Sequence, residues 1–143
     1  MRARKLIQTA KVIWAAPCSI IGLAVAASIV ALGGKAKYSS IALEVTFRPS
    51  EAQCRKLARM LPFHAITLGH VIIAVTEHDL NCLRAHELIH VQQYERWGVA
   101  FFVAYAASSI WQLLKGRKAY WDNYFEVQAR LRSARPAAKE LGA

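Results

Sequence analysis

The chain has 143 residues, 55% of them hydrophobic, and a formal charge of +10. That length has room for one domain, not two. A strongly basic balance calls for an anionic neighbour, and with no RNA-binding signature and no Gly-rich basic tract we expect lipid headgroups rather than nucleic acid.

Residues 12–32, "VIWAAPCSIIGLAVAASIVAL", carry no charge. A helix of that length rises ~30 Å, enough to cross the hydrocarbon core. Arg2, Arg4, Lys5 and Lys11 precede it, and Lys35 and Lys37 follow. The apolar run is longer than that of a cleaved signal peptide. It therefore predicts a retained membrane anchor over residues 1–34, ended by Gly33-Gly34. The remaining residues, 35–143, are expected to form the working domain.

"SIALEVTF" alternates apolar and polar positions and predicts a half-buried strand. A helix follows over residues 50–62, with Ser50 as its cap and Pro62 near its end. Residues 65–75, "AITLGHVIIAV", are rich in β-branched residues and predict a second strand, with Gly69 marking a bulge. This strand could offer its edge to an extended peptide. Residues 79–97 form a long mixed helix stopped by Gly98. Residues 99–114 form an apolar helix too short to span a bilayer. Residues 120–134 form the last helix, with Pro136 just beyond it. The three cysteines, Cys18, Cys54 and Cys82, show no disulfide spacing.

The helix at 79–97 contains "AHELIH". Residues four apart share a helix face, so His86 and His90 can clamp one ion between their imidazoles. Glu87 is rotated by ~100° from His86 and can reach a water at that ion. This is the division of labour of HExxH hydrolases: two histidine ligands, and a glutamate that moves the proton of a metal-activated water. A catalytic zinc usually takes a third protein ligand. Glu126, Asp122, His64, His70 and His78 are all available. Glu126 could equally pair with Arg130 at i,i+4. Asp122 could hold the Nδ1 proton of a ligating imidazole, or simply favour the start of a helix. His70 could be a buried, hydrogen-bonded strand residue or face a substrate. Tyr94 and Trp97 read as packing groups, and Tyr105, Tyr120 and Tyr124 each carry a hydroxyl that could serve a tetrahedral intermediate.

"HELIH" with a downstream glutamate helix resembles the gluzincin type of zinc metallopeptidase. "ITLGHV", "AHELIHVQQYERWG" and "YWDNYFEVQAR" together resemble a group of small bacterial membrane proteins, over most of residues 12–132. The resemblance implies His86, His90 and Glu126 as zinc ligands, with Glu87 as the catalytic acid/base. It also implies a bacterial inner-membrane location with a single-pass anchor. Members of the group often have proline where this chain has Tyr124.

The expected molecule is thus an α+β metallopeptidase-like domain on a membrane anchor. Two strands pair, the HExxH helix packs on them, and the last helix delivers Glu126. The expected activity is zinc-dependent hydrolysis of peptide bonds in a peptide or protein substrate at a membrane surface. The alternative is a zinc-binding membrane protein in which the metal serves structure or assembly.

Overall fold

The computed structural model describes residues 2–39, 41–47 and 63–140. The helix expected at 50–62, and Cys54 within it, lie outside the described residues. In chain order the elements are α1 (Arg2–Ala31), β1 (Lys35–Ser39), β2 (Ala42–Thr46), β3 (Ala65–Leu68), β4 (Val71–Ala74), α2 (Glu77–Trp97), α3 (Ala100–Leu114) and α4 (Tyr124–Glu140). The α+β class holds.

The sheet has four strands rather than two, in the order β1-β2-β4-β3. β2 and β4 run parallel in the centre, and the outer strands are antiparallel to their neighbours. β1, "KAKYS", was not expected, because it has neither an apolar face nor β-branched residues. It is recruited through its backbone, pairing residue for residue with β2 from Lys35↔Thr46 to Ser39↔Ala42.

The single strand expected at 65–75 is a two-residue hairpin. Gly69 is its turn, not a bulge, with φ +62. A side chain there would also strike Ser19 on α1, so both the backbone geometry and the close approach require glycine.

Alternation sorts the sheet into two faces. Val45, Val71 and Ile73 meet Ala26 and Ile29 of α1. Ala42, Ile72 and Ala74 meet Leu80 and Val91 of α2. The sheet therefore lies between α1 and the HExxH helix. α1 is long and apolar enough to cross a membrane, and it also packs along the rest of the fold. Its buried stripe is Ala15, Cys18, Ala26 and Ile29. Gly22 continues this stripe, since a Cβ there would come within 2.7 Å of the Leu68 carbonyl.

α2 is well specified at both ends. Thr76 accepts a hydrogen bond from the Asp79 amide, and Glu77 and Asp79 place acid in the first turn. Gly98 closes the helix by donating to the Tyr94 carbonyl at 2.7 Å. The last helix begins at Tyr124, four residues later than expected, and runs through Pro136 to Glu140. Asn123 sets that start. Its Oδ1 accepts from the Phe125 amide, while its Nδ2 donates to the Tyr105 carbonyl and to Ser109 Oγ. Fully buried, this one side chain caps α4 and ties it to α3.

Candidate metal centre

α2 and α4 cross so that His86, His90 and Glu126 meet. The two Nε2 atoms are 3.0 Å apart. Glu126 Oε2 lies 3.2 Å from His86 Nε2, and Oε1 lies 3.3 Å from His90 Nε2. Among the described residues this is the group of three whose ligand atoms converge closely enough to hold an ion, all within 4.8 Å.

The donor set fits zinc. A tetrahedral ion with bonds of ~2.0–2.1 Å holds its ligand atoms roughly 3.3 Å apart, close to the spacings here. The two imidazole nitrogens face each other at 3.0 Å, where they can share one proton or both turn to a single ion. Glu126 Oε2 is buried and makes no well-formed hydrogen bond. Its contact to His86 is an approach of charges, and its contact to Arg130 is a loose 3.9 Å. The ligand atoms of three side chains thus gather at one place, where a single cation can be held.

Gln93 fixes the chemistry of His90, and the sequence reading missed it. Gln93 Nε2 donates to the Phe125 carbonyl at 3.1 Å, which sets the orientation of the amide. Its Oε1 must then be the atom 2.8 Å from His90 Nδ1. An acceptor at Nδ1 puts the proton there and leaves Nε2 bare for a metal. Gln93 stands three residues after His90 and seven after His86, on the same helix face. That spacing was the signal available.

This is the role held open for Asp122, which sits elsewhere. Asp122 precedes α4, and its Oδ2 accepts from the Lys118 amide at 2.9 Å. His70 is also away from the three ligands. It occupies the β3–β4 turn, with Nδ1 3.3 Å from Ser19 Oγ and Nε2 3.4 Å from Glu95 Oε1. It links α1, the hairpin and α2, in keeping with the buried, hydrogen-bonded reading. His64 lies by Asp79, and His78 by Cys82, both at the far end of α2.

Glu87 is buried beside the centre, and its Oε2 accepts from Thr67 Oγ1 at 2.7 Å. Thr67 is on β3, so an edge strand holds the glutamate of the motif. Two of the three tyrosines face Glu126. Tyr105 donates to Oε1 at 2.8 Å, and Tyr120 lies near enough to feel the charge of this carboxylate. Tyr124 instead accepts from Gln128. Tyr94 is a core residue, packed on Phe101 and Phe102.

The charges are coupled. Burial acts to raise the Glu126 pKa, but the close His86 and His90 imidazoles, with the Tyr105 hydroxyl, outweigh it and hold the carboxyl well below the usual range. Burial acts to lower the His90 pKa, and Glu126 and Glu87 reverse this, leaving it raised. Burial, then Glu126, push the Tyr120 phenol up to about 12. No family model, curated protein or solved structure matches this chain.

Proposed function

We propose that the chain is a zinc metallopeptidase that works at a membrane surface. The observation carrying this reading is the convergence of His86, His90 and Glu126 beside a buried, hydrogen-bonded Glu87. When bound, zinc supplies Lewis-acid polarisation of the scissile carbonyl and brings the pKa of a water toward ~7.

The protein's own groups do the rest. His86 and His90 hold the ion through Nε2, and Gln93 keeps His90 in the required tautomer. Glu126 adds a negative ligand whose other oxygen is fixed by Tyr105. Thr67 occupies Oε2 of Glu87, so proton transfer falls to Oε1. Glu87 withdraws a proton from the attacking water as that oxygen bonds to the carbonyl carbon. It then returns the proton to the leaving nitrogen as the C–N bond breaks, so the carboxylate ends as it began.

β3 is the terminal strand of the sheet among the described residues, and its Thr67 touches Glu87. A peptide added to that edge as an extended strand would run past the catalytic carboxylate. A metal held only for structure would have no use for an acid held at this place.

The test is metal analysis together with one substitution. Purified protein should carry one zinc per chain, and Glu87→Gln should retain it while peptide hydrolysis falls by at least ~10²-fold. Protein that neither carries nor rebinds a transition metal overturns the reading. Undiminished hydrolysis by Glu87→Gln removes Glu87 from the mechanism.

A further inference from the structure

The way α1 packs bears on how the molecule meets the membrane. α1 touches the rest of the fold from one end to the other. Lys11 pairs with Glu95, Cys18 lies against the Gly98 carbonyl, Ser19 bonds to His70, and Ile29 packs on the sheet. From residue 11 to residue 29 this spans about 27 Å, close to the thickness of the hydrocarbon core. If α1 stood upright in a bilayer, everything packed beside it would share its depth.

Two features forbid that. The first is the sheet on the C-terminal half of α1. Among the described residues it is open, with β1 and β3 as its outer strands, and open sheet edges do not occur in lipid-exposed hydrocarbon. β1 also exposes Lys35 and Lys37. The second is the layer beyond the sheet. α2 exposes Glu77, His78, Asn81, Gln92 and Arg96 along its length. Upright insertion would turn this face toward lipid, where charged groups are costly.

The opposite side of the molecule has the reverse character. Ile13, Ile20, Leu23 and Val30 are exposed on the outer arc of α1. Polar charge is absent from that arc between Lys11 and Lys35. α3 carries a second apolar surface, and its Phe101 packs with Ala15 and Cys18 on the inner stripe of α1. α3 adds exposed Val103, Ile110 and Trp111. At its end Lys115 lies over the Trp111 ring, and Arg130 lies over Trp121. Tryptophan beside a cation is the composition of the headgroup level.

We propose that the chain is monotopic: α1 lies in the plane of an anionic membrane, its outer arc sunk among the acyl chains, while the sheet and α2 stay in water. An apolar face rimmed by cations fits a negatively charged lipid surface. The metal centre, between α2 and α4, then lies just above the surface, within reach of the exposed juxtamembrane segment of another protein. The orientation rests on packing and not on metal, so it stands or falls apart from the peptidase reading.

The experiment uses the full chain in vesicles of phosphatidylcholine with phosphatidylglycerol. Single spin labels are placed at Ile13, Ile20, Ala27 and Asn81, in a background lacking the native thiols. The first three lie seven residues apart along the outer arc of α1. Immersion depth is read from collisions with oxygen and with a water-soluble nickel chelate. An in-plane helix gives the same shallow depth at Ile13, Ile20 and Ala27, and a fully aqueous Asn81. A crossing helix makes Ile20 the deepest, with Ile13 about 10 Å shallower and Ala27 about 5 Å shallower, and overturns the proposal. Aqueous values at all three α1 positions overturn it too, because the apolar arc would then be covered by a second copy or by another protein.

Discussion

Gln93 offers the sharpest test of the metal centre, because it touches no ion. Gln93→Leu keeps the volume and removes three hydrogen bonds, one to Gln128 Oε1 and two that matter here. One is the acceptor that holds the proton on His90 Nδ1; the other is the donor to the buried Phe125 carbonyl. The first loss frees His90 to rotate and to carry its proton on the wrong nitrogen. Loss of such an outer partner typically lowers metal affinity 10- to 100-fold, or about 1.4–2.7 kcal/mol. The second loss removes a buried hydrogen bond at the α2–α4 contact, at a cost of about 0.5–1.5 kcal/mol in stability. Gln93→Glu separates the two effects. Its carboxylate still accepts from Nδ1 but cannot donate to the Phe125 carbonyl, so it should keep zinc affinity while losing stability. Zinc affinity is measured by competition with a chromophoric chelator, well below the melting temperature, and stability by denaturant unfolding. A Gln93→Leu protein that binds zinc within twofold of the wild type would refute the assigned tautomer and, with it, the argument that His90 presents Nε2.

Two other substitutions probe the partner helix. Glu126→Ala should weaken zinc binding by orders of magnitude and Arg130→Ala by less than tenfold, since Arg130 lies 3.9 Å from the carboxylate and donates instead to the Trp121 carbonyl; equal small effects in the same competition assay would return Glu126 to a surface ion pair. Asn123→Ala should cost about 2 kcal/mol of unfolding free energy, because it removes a helix cap and leaves buried partners unsatisfied. Denaturant unfolding of the metal-free protein measures it, and a loss below about 0.5 kcal/mol would show that α4 is positioned by other contacts.

Much of the fold was legible because the periodicity is strong where burial is one-sided. α2 announces itself by its mixed pattern and terminal glycine, and the structure starts it two residues earlier than expected, at Glu77, because Thr76 caps it. β2 is plain from "SIALEVTF". The hairpin was read as one strand because "AITLGHVIIAV" is apolar on both sides of Gly69, and its short strands are covered by helices on both faces. With apolar residues in both registers, alternation carries no information, and only the turn residue could have divided the run. β1 was invisible for the opposite reason. It buries almost nothing, and its place depends on backbone pairing to a neighbour already fixed.

The site divides along a similar line. His86, Glu87 and His90 were legible because one helix sets their mutual geometry, and helical geometry follows from spacing alone. Glu126 was reachable only as one acid among several, since nothing local in "DNYFEVQAR" tells a ligand from half of an ion pair with Arg130. What decides between them is the angle at which α4 meets α2, and that angle is set by Asn123 and by the aromatic contacts of Phe125 with Phe101 and Trp97. Phe101 in turn shares its cluster with Ala15 and Cys18 of α1. The contact that brings the third ligand to the histidines thus belongs to the same core as the inner stripe of the apolar helix. A sequence reading that treats residues 1–34 as an anchor and residues 35–143 as the working domain has no means of seeing this dependence. The packing implies that the apolar helix is part of the scaffold of the centre.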